Sequence, residues 1–243
     1  MIGLGTLINT GAIIVGGILG LFAGKLLTDR FQKILTVAMG LSVIAMSLSD
    51  LVAGMLRTEE GGFATHGTYC IIFSLVLGGL SGELLDLDGK LERFGRWLRE
   101  KTGNARDAAF VDAFVTTSLT VCIGAMAIVG ALRDGLTGDY SVLLIKSILD
   151  FVIVLVMSAS AGKGSIFSAI PVFVLQGSVT LLARLVAPLL SDPAMNNLSV
   201  VGSLLILCIG VNLMADGKYR IKVANLLPAV IFAVIAAYIP FLQ

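Results

Sequence analysis

The chain has 243 residues, 57% of them hydrophobic and 14% charged, with a net charge of +1 and a mean hydropathy of +0.98. A soluble domain carries about 25% charged residues, so this composition excludes a disordered chain, a secreted disulfide scaffold and an ordinary soluble enzyme. The balanced charge also excludes the basic footprint of a nucleic-acid-binding protein.

A bilayer core of ~30 Å is crossed by about 20 apolar residues in a helix. Eight runs fit that length: 4–23, 34–56, 69–85, 109–132, 142–161, 166–190, 200–214 and 223–242, the third and seventh being short. The first run follows Met1-Ile2-Gly3 with no basic residue before it, so it is expected to remain as a span and not to be cleaved as a leader. It carries Asn9 at depth, and its residues Gly16, Gly20 and Gly24 stand four apart. Gly78 and Gly82 repeat that spacing in the third run. Small residues at this interval let helix backbones approach closely, within the chain or between copies of it.

The long connection 86–108 places Leu87, Leu91, Phe94 and Leu98 at helical spacing among basic residues, which predicts an amphipathic helix lying on a membrane surface. A shorter counterpart is expected at 26–34. The fourth run carries Thr116, Thr117, Ser118 and Thr120, and Asp112 opens it in a position suited to an N-cap.

The fifth run holds Lys146 and Asp150, four residues apart and so on one helix face within ion-pair reach. A charge at membrane depth costs roughly 3 kcal/mol on insertion scales, so it needs a partner or water. In the sixth run, Pro171 is expected to kink the helix. Gln176 and Gly177 lie deeper, and Arg184 is placed to snorkel outward. Asn212 is the deep polar group of the seventh run. Together Asp150, Lys146, Thr117, Gln176, Asn9 and Asn212 form the candidate path for a small solute or ion. The alternative is that Lys146 and Asp150 only lock helices together, in a protein that transports nothing.

The basic residues test the span count. With the N-terminus outside, the inner loops hold Lys25, Arg30, Lys33, Lys90, Arg93, Arg96, Arg99, Lys101, Arg106, Lys163, Lys218, Arg220 and Lys222, and the outer loops only Arg57 and Arg133. Cytoplasmic loops are the basic ones, so both termini are expected outside a bacterial inner membrane. Dropping one span would reverse every later loop and destroy the bias.

Two repeats are visible. Segments 1–57 and 68–135 share the Gly-Gly end of a first helix, Asp29-Arg30-Phe31 against Glu92-Arg93-Phe94, and a glycine ten residues before an aspartate, Gly40 to Asp50 and Gly124 to Asp134. They read as tandem copies of a helix pair, with 140–243 supplying the remaining spans. Cys208-Ile209-Gly210 also echoes Cys122-Ile123-Gly124, which hints at an inverted repeat of spans 2–4 against spans 5–7.

Cys70, Cys122 and Cys208 are far apart in apolar runs and are expected to be small buried hydrophobes, not metal ligands. His66 is the only histidine, which argues against a histidine-based metal site or a Ser-His-Asp triad and so against an enzyme. No cofactor or metal is expected. The polar turn 158–165 lacks the full phosphate-loop pattern and no strand precedes it.

The residues Gly5-Thr6-Leu7-Ile8-Asn9 with Gly16-Gly17, then Lys146-Ser147-Ile148-Leu149-Asp150, then Pro171 with Gln176-Gly177 give the chain, over nearly its whole length, a pattern that resembles an uncharacterised bacterial inner-membrane family, domain of unknown function 554. The resemblance implies a multi-pass membrane protein presumed to be a transporter or channel, and carries no substrate or site. A glycine would be expected after Asp150, where Phe151 stands here. The sequence as a whole predicts an all-α polytopic bundle of about eight transmembrane helices with internal repeats, assembled as a homo-oligomer in a lipid bilayer.

Overall fold

A computed structural model describes residues 2–59, 62–215, 219–239 and 241. Lys218 and the last residues of the eighth run, 240 and 242, lie outside the described residues.

The predicted runs fold as helices whose inside and outside are reversed relative to a soluble protein. In α1 (Leu4–Leu26) the buried residues are Gly5, Thr6, Asn9, Ile13, Gly16, Gly17, Gly20 and Gly24, while Leu7, Ile14, Val15, Ile18, Leu19 and Phe22 are exposed. In α7 (Ser141–Ala161) the buried face carries Lys146, Ser147, Asp150 and Ser158, and Ile145, Ile148 and Val152 face outward. Exposed large apolar side chains around buried small and polar ones are what lipid requires, because lipid solvates leucine and cannot hydrogen-bond a carboxylate.

Among the described residues six helices are long and apolar enough to cross a membrane: Leu4–Leu26, Arg30–Met55, Thr68–Leu85, Ser141–Ala161, Lys163–Leu181 and Asp192–Met214. The expected fourth span is two helices, α5 (Phe110–Cys122) and α6 (Ala125–Thr137), bent by 61° at the break between them. It makes a seventh span if counted as one. The expected eighth is shorter, α11 (Val223–Leu226) followed by α12 (Pro228–Ala236).

Several expectations are corrected. No separate surface helix occupies 26–34, because α2 (Asp29–Met55) starts directly there. Its Gln32 donates to the Gly24 carbonyl at 3.1 Å and so closes the end of α1. Residues after α2 form a hairpin, β1 (Leu56–Glu59) with β2 (Gly62–Thr65), antiparallel with Leu56 opposite Thr65. Pro171 makes no mid-span kink. It stands in the first turn of α8 (Ala169–Leu181), where its missing N–H costs nothing. The sixth run instead breaks after Leu181 into the short α9 (Ala183–Val186), where Arg184 is exposed.

The seventh run begins eight residues early, as α10 (Asp192–Met214), capped by Ser191, which accepts from the Ala194 N–H. Its polar opening is absorbed by neighbours: Asn196 donates to the Gly54 carbonyl at 3.0 Å and Asn197 to the Ala233 carbonyl at 3.3 Å. The predicted amphipathic helix is present as α4 (Leu87–Lys101), with Leu98 and Gly95 buried and Phe94 stacked on a half-exposed Trp97.

Each of the first long helices lies along one from the second half of the chain: α1 on α7, α2 on α10, and α3 (Thr68–Leu85) on α12. The G-x-x-x-G faces make these contacts within the chain. A Cβ on Gly16 would come within 2.6 Å of the Phe151 carbonyl, and one on Gly24 equally close to the Ala159 carbonyl, while Gly20 faces the Leu155 carbonyl. Gly78 and Gly82 meet the backbones of Ala229 and Asn225. The close approach expected of a glycine after Asp150 is thus provided from the opposite helix, by Gly16.

The bundle has two distinct ends. At one, Arg220 pairs with Glu92 at 2.8 Å and reaches Asp88 and Asp112. Asp112 is the third residue of α5 and serves there as an ion-pair partner, not as its N-cap. Lys222 pairs with Glu83, and Lys163 donates to Asn104. At the other end, the buried Asp134 carboxylate accepts from the N–H groups of Gly3 and Gly5 at 3.1 and 3.0 Å. The loops assigned inward from their basic residues thus gather at one end.

Candidate functional site

The deepest polar groups converge where α1, α7 and α8 meet the break between α5 and α6. Lys146 and Asp150 share the buried face of α7, and the Lys146 ammonium donates to Asp150 Oδ2 at 2.5 Å. From α1, Asn9 Nδ2 donates to the same Oδ2 at 2.9 Å and to Gln176 Oε1 at 3.3 Å. Asn9 is 0% exposed, Gln176 1%, Asp150 2% and Lys146 7%. The spacing rule for an (i, i+4) pair and the depth of the two amides therefore lead to one cluster drawn from three helices.

The break supplies the fifth member. Gly124 has φ +138°, in the left-handed region that favours glycine, and the helix ends before it with the Ile123 N–H bonded to the Leu119 carbonyl. The last carbonyls of a helix have no amide of their own to accept from. That of Val121 is taken by the Lys146 ammonium at 2.8 Å. The negative end of the α5 dipole thus faces a cation.

Two atoms of the cluster have no hydrogen-bond partner, Asn9 Oδ1 and Gln176 Nε2. Turning either amide over does not cure this. Asn9 would then present its oxygen to the Asp150 carboxylate, and Gln176 its NH2 to the Asn9 NH2. The cluster is therefore short of one donor and one acceptor as it stands.

A cavity of about 250 Å³ adjoins the pair. It is lined by Lys146 and Asp150, by Ser47 and the exposed Asp50 of α2, by Thr120 just before the break, and by Ser199 and Ser203 of α10. A second cavity, about 430 Å³ and almost wholly apolar, shares Ile123 and Gly124 with the first and has Pro171 and Leu175 in its wall. Ile123 and Gly124, of the broken span, thus line both cavities.

Of the six residues the sequence put on the path, the structure brings Asp150, Lys146, Asn9 and Gln176 together and places two elsewhere. Thr117 is fully buried and donates to Ser165 Oγ at 2.9 Å, tying α5 to the 3₁₀ turn Lys163–Ser168. Asn212 accepts from the Ile221 N–H and donates to the Ile221 carbonyl, both at 2.8 Å, which fastens the connection into α11. Sequence reasoning passes over the Val121 carbonyl, since a backbone group has no letter of its own, and over Ser47, Ser199 and Ser203. The break itself has a signal, Gly124, although the related glycines Gly40 and Gly210 behave differently and pack against each other's helices. The three cysteines are free, Cys70 buried and the others partly so. Among the described residues no three His, Cys, Asp or Glu side chains converge as metal ligands.

Comparison with known proteins gives a consistent result. The model of the family described as "Protein of unknown function (DUF554)" matches residues 4–238. The chain is 29% identical over 237 residues to the uncharacterized membrane protein YdfK of Bacillus subtilis (strain 168), covering 97% of this chain and 96% of that one. It is 28% identical over 237 residues to the uncharacterized protein YqgA of Escherichia coli (strain K12), covering 95% and 94%. No solved structure gives a significant match.

Proposed function

This chain belongs to the DUF554 family of proteins of unknown function, and from its site we propose that it passes a small solute or ion across a bacterial cytoplasmic membrane, as a transporter or channel. The observation that carries this is the broken span at Ile123–Gly124, with its Val121 carbonyl on Lys146 and a cavity beside the Lys146–Asp150 pair. Irregular backbone at membrane depth is tolerated where protein covers it or a water-filled space adjoins it. Ionisable groups there mark pathways by default, and discontinuous helices build the sites of many carriers. In this reading Asp150 exchanges partners as the site fills and empties. The end rich in basic residues faces the cytoplasm and both termini lie outside.

We also infer that 1–57 and 68–135 arose by duplication, since each carries a glycine face packed on a helix of the second half. Those faces are filled within the chain, so a homo-oligomer would be joined through other surfaces. A second reading, a protein that moves nothing, is favoured by one observation: Asp150 Oδ2 is already filled by Lys146 and Asn9.

The test is charge movement in liposomes on a solid-supported membrane, challenged with pH steps, sodium, and pools of amino and carboxylic acids. A transient in the wild type, lost in a folded Asp150→Asn variant, is expected. Silence in every protein, with Asp150→Asn and Lys146→Met both melting several degrees lower, would overturn passage in favour of a structural lock.

A further inference from the structure

The hydrogen bonds of the cavity wall decide which sign of charge it suits. A hydroxyl has one proton to give and two lone pairs to offer. Three of the four wall hydroxyls spend their proton within their own helices: Thr120 donates to the Thr116 carbonyl at 2.7 Å, Ser47 to that of Ile44 at 2.9 Å and Ser203 to that of Ser199 at 2.8 Å. These three offer the cavity lone pairs, and Ser199 is the one wall hydroxyl whose proton is not spent in this way. Asp50 and Asp150 offer acceptors only, and the hydrogen bonds made to Asp150 by the described residues all fall on Oδ2, leaving Oδ1 without one. The charged groups in the wall are Asp50, Asp150 and Lys146, a net charge of one negative. An anion would meet two carboxylates and few donors, whereas one monovalent cation neutralises the set. The absence, among the described residues, of three converging acidic, His or Cys side chains removes the carboxylate-rich cage that a calcium ion takes. The volume, about 250 Å³, holds an ion together with water.

Lys146 is already a cation at the head of this space. Its ammonium rests on the Val121 carbonyl and the Asp150 carboxylate, the two oxygens a free cation would want. Of the cluster's two unpartnered atoms, the donor Gln176 Nε2 has no use for a cation, whereas the acceptor Asn9 Oδ1 belongs to the side chain that already bonds the Asp150 carboxylate. We propose that the helix break and Asp150 form a monovalent-cation site, that Lys146 is its tethered resident occupant, and that a free monovalent cation entering from the cavity displaces it. This rests on the passage reading and names its substrate class.

The experiment measures thermal unfolding of the full-length protein in detergent, with sodium, potassium or ammonium chloride replacing choline chloride at constant ionic strength. Removing the tethered competitor makes the site available, so Lys146→Met is expected to respond to one of these ions with an apparent affinity about tenfold tighter than wild type. Lys146→Met/Asp150→Asn, which keeps the charge balance, is expected to show no ion-specific response. Should Lys146→Met fail to fold, Asp50→Asn on the exposed rim serves instead, and weakens the wild-type response severalfold. An equal response in the double variant, or none beyond choline in Lys146→Met, or in wild type where that variant does not fold, overturns the site. Liposome currents separate the two claims. Currents that follow carboxylates and ignore cations sink the cation site and leave passage standing. An ion-specific shift in Lys146→Met with no current in wild type upholds the site and sinks passage.

Discussion

Two of the glycine seams in this bundle differ in where they keep their charges. Along α1 and α7, Gly16, Gly20 and Gly24 lie on the carbonyls of Phe151, Leu155 and Ala159, and the seam continues into a buried ion pair near the middle of α7. Along α3 and the α11–α12 segment, Gly78 and Gly82 lie on Ala229 and Asn225, and the polar groups are at the end, where the exposed Lys222 and Glu83 pair at 3.2 Å. The packing device is the same. Close contact alone therefore does not account for the cluster at Asp150, because the second seam closes as tightly with its charges kept near water.

The largest effect expected from this difference is the loss of one partner of the buried pair. Removing a single charge leaves the other uncompensated, at about 3–5 kcal/mol. Lys146→Met and Asp150→Leu should each lower the stability of the detergent-solubilised protein by that order. The double variant should regain most of it, because a pair of apolar side chains needs no partner. If the two single costs simply add in the double variant, measured by denaturant unfolding, the pair is not coupled and the contrast between the seams fails.

Packing comes next in size, and here the seams should behave alike. A Cβ on Gly20 overlaps the Leu155 carbonyl and one on Gly82 the Asn225 carbonyl, and in both cases the obstacle is backbone. Overpacking of this kind costs about 1–3 kcal/mol, so Gly20→Ala and Gly82→Ala should each lower the melting temperature by comparable amounts. A large loss at one seam only would mean that the other can separate. Gly177 makes the opposite prediction. Nothing lies within 4 Å of a Cβ there, and helical glycine is weaker than alanine by about 0.5–1 kcal/mol, so Gly177→Ala should raise the melting temperature slightly.

The same contrast explains what could be read in advance. The pair was legible because Lys146 and Asp150 are charges within an apolar run, and Gly16 and Gly82 because a four-residue glycine interval has few other uses. Asn9 and Gln176 were legible as deep amides, although their meeting with Asp150 is a long-range contact no local pattern contains. Thr117 and Asn212 look no different in sequence, yet they found nearby partners in Ser165 and Ile221. Which deep polar group joins a site depends on what the neighbouring helix presents. The break at Gly124 leaves only that one glycine as its trace, because hydropathy is continuous across it and a single backbone angle interrupts the helix. The early start of α10 leaves no hydropathy signal, because Asn196 and Asn197 lower its hydropathy and are satisfied by carbonyls elsewhere in the chain.

The smallest effects belong to the exposed end of the second seam. Lys222→Met removes an ion pair whose side chains are 56% and 63% exposed, so its cost should stay below about 1 kcal/mol and fade in high salt. Asp88, on α4 at the same end, gives a pH signature. Burial pushes its carboxyl above the ordinary aspartate range, with Arg220 pulling the other way. A carboxyl whose folded value is raised binds its proton more firmly in the folded state. It therefore favours folding below the unfolded value, about 3.9, and that contribution is lost as pH rises through the folded one. Asp88→Asn should match wild type in strong acid, where Asp88 is protonated, and unfold at a slightly higher temperature above it, less whatever the Arg220 contact contributes. Were the variant instead to lose stability steeply on going from acid to neutral pH, the ion pair with Arg220 would outweigh burial. The second seam would then, like the first, depend on a charge pair.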